Sequence, residues 1–129
     1  MTETVLVAED DEAQRQLVRR AFRDGYRVET ATDGRRTWEF LTQCEDLPDA
    51  VVLDVMMPEI DGFTLLERLR ARSAFADLPV LVVSARSREE DVRRAIDAGA
   101  TDYVTKPFDP DELRDRVDRA IESTPPPCA

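Results

Sequence analysis

The chain is 129 residues long with a net charge of −10, the length of one ordinary domain able to bury its own core. Its apolar share of 42% excludes wholesale disorder, and the acid excess argues against direct nucleic-acid binding, because such a surface repels phosphates. No apolar run approaches a membrane span and the N-terminus lacks the basic-then-apolar layout of a signal peptide, so a cytoplasmic protein is expected.

From the N-terminus, the run Val5–Ala8 is rich in valine and too short for a helix, which predicts a buried strand. Residues 12–24 follow, with Leu17, Val18, Ala21 and Phe22 at helical spacing. The stretch from Tyr26 to Ala31 alternates polar and apolar residues, as an edge strand does. A helix over 34–43 carries Trp38 and Leu41 on one face, and the apolar run from Ala50 to Val55 gives a third strand. Pro58 and Gly62 mark the next loop, and a helix is predicted over 62–72. Pro79 introduces a buried strand from Val80 to Val83, and a helix over 89–98 stops at Gly99, a left-handed cap. Asp102 to Thr105 is a fifth strand, after which Pro110 and Asp111 open a last helix reaching Glu122.

Five βα units in succession imply a parallel sheet with helices on both faces. The expected fold is α/β, a doubly wound, flavodoxin-like five-stranded sheet in the order 2-1-3-4-5. One domain fills residues 1–122, and the Pro-rich stretch 123–129 is a tail or the start of a linker. Cys44 and Cys128 form no Cys-x-x-Cys pair and read as plain thiols, one on a helix and one in the tail. Of 18 basic residues only Lys106 is a lysine, a bias that fits either a GC-rich genome or a high-salt cytoplasm. It also raises the question of what that one position requires.

In an open parallel sheet, ligands bind beyond the carboxyl ends of the strands where their order reverses. The first strand runs into Glu9, Asp10 and Asp11, the third into Asp54, the fourth into Ser84 and Ala85, and the fifth into Lys106 and Pro107. Glu9, Asp10 and Asp54 bring together three negative charges that need compensation, and a hard divalent cation such as Mg²⁺ suits carboxylates and water. Asp54 ends the central strand and is the best nucleophile. A carboxylate needs no base to attack phosphorus, which suits a chain without histidine. Lys106 is the compact point charge for a phosphoryl oxygen, Ser84 a hydroxyl donor to another, and Ala85 leaves the entrance open. Asp11 reads as a helix N-cap. Met56, Met57 and Trp38 read as loop and core packing.

These pieces together resemble the receiver domain of two-component response regulators, over about residues 4–122. The likeness is carried by Val5 through Asp11, by Leu53-Asp54-Val55-Met56-Met57-Pro58-Glu59-Ile60-Asp61-Gly62, by Val83-Ser84-Ala85, and by Thr105-Lys106-Pro107-Phe108. It implies that Asp54 is phosphorylated by a sensor histidine kinase or phosphotransfer protein, and that the domain catalyses only its own phosphorylation and dephosphorylation. Asp10 and Asp54 would bind Mg²⁺ directly with the backbone carbonyl of Met56, and Glu9 would act through water. Ser84 and Lys106 would hold the phosphate, Lys106-Pro107 would be a cis peptide, and Tyr103 an aromatic switch rather than a packing residue. The output would be the surface of the fourth helix, fifth strand and fifth helix. Asp102, Glu112 and Arg116 there resemble residues by which such domains dimerise, whereas Val92 and Thr101 depart from that pattern. Three rival readings fit less well. FMN binding needs a Gly/Ser/Thr-rich first loop, and an aspartyl phosphatase needs an Asp-x-Asp there. A degenerate receiver would lack the intact acidic set.

Overall fold

The computed structural model describes residues 3–57 and 60–123. Pro58, Glu59, Cys128 and the tail from Thr124, all invoked above, lie outside the described residues. Along the chain come β1 (Glu3–Ala8), α1 (Glu12–Ala21), β2 (Tyr26–Ala31), α2 (Gly34–Gln43), β3 (Ala50–Asp54), α3 (Gly62–Arg70), β4 (Val80–Ser84), α4 (Glu89–Ala98), β5 (Asp102–Thr105) and α5 (Pro110–Ser123). The strands are parallel and ordered β2-β1-β3-β4-β5, with β3 central and β2 at an edge.

The two-residue period of a strand divides the core in two. Leu6, Val51, Leu53, Val80 and Val82 face α2, α3 and α4, where Leu41, Phe63, Leu66, Leu69 and Ala95 meet them. Val5, Val7, Val52, Leu81 and Val83 face α1 and α5, against Val18, Phe22, Leu113 and Val117. Every residue of β3 and β4 is buried, which explains why these strands read as unbroken apolar runs, whereas β2 at the edge buries only its two end residues, Tyr26 and Ala31, and not every second one as its sequence suggested.

Helix ends follow local chemistry. Asp11, Asp33 and Asp61 each accept a backbone N–H from the first turn of α1, α2 and α3. Gly99 closes α4 at φ +110°, a conformation that favours glycine. α1 stops at Ala21, short of the predicted residue 24. Phe22 caps it, fully buried, with its ring edge-on to Tyr26 at 5.1 Å between centroids. α3 stops at Arg70 rather than residue 72, and a short 3₁₀ turn, Ser73–Phe75, follows that the sequence did not announce. Three residues are too few to display a period. Cys44 is the C-cap just past α2 and not a helical residue as expected, its Sγ 3.5 Å from Leu41 O.

Gly62 sets how tightly the loop after β3 closes. Its N–H donates to Val55 O at 3.0 Å, and a Cβ there would stand 2.4 Å from Val55 Cα and 3.0 Å from Asp54 O. Both neighbours are backbone, so a side chain forces α3 away from the end of β3. Gly62→Ala is expected to cost about 1–3 kcal/mol in urea unfolding, against less than about 0.5 kcal/mol for Gln16→Ala on the exposed face of α1.

Candidate functional site

The ends of β1, β3, β4 and β5 converge as the sequence indicated. Glu9 and Asp54 are buried, at 4% and 7% exposure, and Ser84 is fully buried, while Asp10 is open to solvent. Oxygens of Glu9, Asp10 and Asp54 lie within 4.8 Å of one another. Lys106 Nζ donates to Glu9 Oε1 at 2.6 Å and to Asp54 Oδ2 at 3.1 Å. The other Asp54 oxygen, Oδ1, accepts the N–H of Met56 at 2.9 Å. The Met56 side chain projects into solvent and Met57 joins the core.

One lysine among three carboxylates leaves an excess of negative charge. Burial pushes the Glu9 carboxyl up to about 7, with the adjacent Asp54 adding to the effect and Lys106 opposing it. Burial also works against the charge on Lys106, yet Glu9 and Asp54 outweigh it and raise its pKa above the ordinary lysine value. The donor set contains only oxygen and is crowded with charge, the chemistry that suits a hard divalent cation.

A second group of contacts surrounds the loop after β4. Ser84 Oγ accepts the N–H of Arg86 at 3.0 Å, and the buried Tyr103 donates its hydroxyl to Arg86 O at 2.6 Å. Both main-chain groups of residue 86 are therefore held by side chains from β4 and β5. Lys106-Pro107 is a cis peptide. Asp102 and Glu112 both pair with Arg116, at 3.0 and 3.2 Å. Val92 packs half-buried against the core, and Thr101 holds the N–H of Val80 through its hydroxyl. Two further contacts also went unseen in the sequence. Arg15 grips the carbonyls of Glu9 and Asp10, and the Arg94 guanidinium lies 4.2 Å over the Phe63 ring. An arginine in the helix that follows an acidic loop was the available signal for Arg15. The Arg94 contact joins two helices and left none.

A doubly wound sheet with an acidic triad and a lysine at its switch point defines a class of phosphate-handling domain. Residues 5–118 match the response regulator receiver domain, and the chain belongs to that family. Receiver domains are the phosphorylated modules of two-component signalling and bind Mg²⁺ in an acidic site. The chain is 44% identical over 123 residues to the response regulator MprA of Mycolicibacterium vanbaalenii, covering 95% of this chain and 52% of that protein. It thus spans about half the length of the curated relatives it matches. A solved chain described as a response regulator from Chloroflexus aurantiacus superimposes with a TM-score of 0.89 at 33% identity, covering 95% of this chain and 99% of that one. The receiver domain of a sensor histidine kinase from Pseudomonas aeruginosa, solved with a magnesium ion in its active-site cleft, gives 0.86 at 27% identity, over 95% and 100% of the two chains. Among the described residues, no helix is long and apolar enough to cross a membrane.

The raised Glu9 carboxyl has a defined consequence for the metal-free protein. Folded Glu9 keeps a proton that the unfolded chain releases above about 4.5, so its contribution to stability falls as pH rises from about 4.5 to about 7. Lys106, also shifted upward, keeps its stabilising contribution throughout this window and loses it only above about 10.5. Thermal melts in EDTA across that range are expected to give a flatter profile for Glu9→Gln than for the wild type. Equal slopes would mean that Glu9 does not titrate there.

Proposed function

We propose that Asp54 accepts a phosphoryl group from a sensor histidine kinase or phosphotransfer protein, in a Mg²⁺-dependent reaction that alters the surface of α4, β5 and α5. The observation that carries this reading is the Lys106 ammonium set between Glu9 and Asp54, within reach of the acceptor carboxylate. Asp10 and Asp54 would hold the metal directly together with the backbone carbonyl of Met56, and Glu9 would act through water. When bound, the cation neutralises charge on the phosphoryl oxygens.

An Asp54 oxygen attacks phosphorus while the phosphorus–nitrogen bond to the donor imidazole breaks. The electron pair leaves with the imidazole, and an acyl phosphate remains. No proton has to leave the nucleophile, so positioning and charge neutralisation supply the catalysis. Lys106 turns from the carboxylates to a phosphoryl oxygen. The Ser84 oxygen accepts from Arg86, which leaves its hydrogen free to donate to another phosphoryl oxygen. Drawing Ser84 inward changes its hold on residue 86, the same residue that Tyr103 grips. Phosphate then shifts a population in which the buried Tyr103 ring and the loop between β4 and α4 move together.

The surface of α4, β5 and α5 would then meet an output partner, or a second copy through Asp102, Glu112 and Arg116. Residues 1–122 are the receiver unit in this reading, and 123–129 its tail or linker.

Incubation with Mg²⁺ and acetyl phosphate is expected to give one phosphoryl adduct by intact mass, absent from Asp54→Asn and from samples in EDTA. An adduct on Asp54→Asn would relocate the acceptor. Lys106→Met is expected to slow adduct formation roughly hundredfold, the order lost with a single charge-stabilising donor.

A further inference from the structure

Arg15 lies in the second turn of α1 and its side chain reaches back toward the acidic loop. One guanidinium nitrogen, Nη1, donates to two successive carbonyls, Glu9 O at 3.0 Å and Asp10 O at 2.9 Å. In extended chain successive residues face opposite ways, so two neighbouring carbonyls gripped by one nitrogen mark a backbone turned out of strand geometry at the loop. The surrounding main chain is pinned as well. Glu9 N–H donates to Ala31 O at 3.0 Å and Asp11 N–H to Glu9 Oε2 at 3.3 Å. The Asp10 carboxylate itself is exposed and takes no partner among the described hydrogen bonds. Its direction is set by the backbone that carries it, and Arg15 holds that backbone.

We propose that Arg15 is a positioning residue for the metal site, holding the Glu9–Asp10 main chain so that the Asp10 carboxylate faces Asp54 ready for a divalent cation. The inference rests on the Mg²⁺-binding reading above. It makes a prediction of definite sign, because the two effects of Arg15 oppose each other. A nearby guanidinium repels Mg²⁺, so on charge alone its removal tightens metal binding. Loss of positioning weakens it instead, as the loss of groups that orient metal ligands does.

Calorimetric Mg²⁺ titration of the whole chain separates these effects without any phosphorylation step. Arg15→Met is expected to raise the Mg²⁺ dissociation constant roughly tenfold or more, and Arg15→Lys, which retains a donor, to raise it less. Arg19→Met removes the same charge from an exposed position on α1 and is expected to leave the constant near the wild-type value. A folded Arg15→Met that binds Mg²⁺ as tightly as the wild type, or more tightly, overturns the proposal. Thermal melts establish folding, and Arg15→Gln, too short to reach both carbonyls, gives the same reading should the methionine variant not fold. A wild type that binds no Mg²⁺ removes the underlying reading instead, a result distinct from a bound wild type with an unaffected variant.

Discussion

The structure depends on an electrostatic crowding that no apolar packing would choose. β1 and β3 are neighbours in the sheet, and their ends place Glu9, Asp10 and Asp54 within a few ångströms of one another. Two of these acids are buried, and a single ammonium stands among them. Burying like charges is costly unless they are paired. The surrounding fold must therefore be stable enough to impose the arrangement, which is the role of the two apolar layers on either side of the sheet. The strain is local and the support is global, a division common at functional sites.

The alternation of strand residues also separates two tasks. Asp54 belongs to the set of β3 residues that faces α1 and α5, together with Ala50 and Val52. Ser84 and Tyr103 belong to the opposite set, shared with Val80 and Val82 on the side of α3 and α4. Acid chemistry thus gathers toward one face while the groups that hold the β4–α4 loop gather toward the other. The two sets come together at the carboxyl ends of the neighbouring strands β3 and β4.

Much of this was legible in the sequence because the relevant signals were local. β3 and β4 are buried on both faces and so read as continuous apolar runs, and each ends in a polar residue that had no place in a core. Asp11 and Gly99 announced helix ends through their own chemistry. What escaped notice depended on contacts between distant segments or on pieces too short to show a period. The 3₁₀ turn at Ser73–Phe75 and the early end of α3 at Arg70 are of this kind, since Arg70 turns aside to donate to the carbonyls of Phe75 and Gly99. Cys44 was misplaced by a single residue at a helix end, where boundaries are least determined by pattern. The grip of Ser84 and Tyr103 on residue 86 was invisible because it engages main-chain atoms, which every residue possesses.

That last contact carries an evolutionary implication. Ser84 and Tyr103 touch only the amide and carbonyl of Arg86, so neither bond registers which side chain the residue bears, provided it is not proline. The side chain lines the cleft beside Asp10 and Met56 and pairs with Asp91 in the first turn of α4 at 3.8 Å. Exchange of that side chain therefore alters the mouth of the cleft and its tie to α4 together, while the main-chain bonds to β4 and β5 are inherited intact.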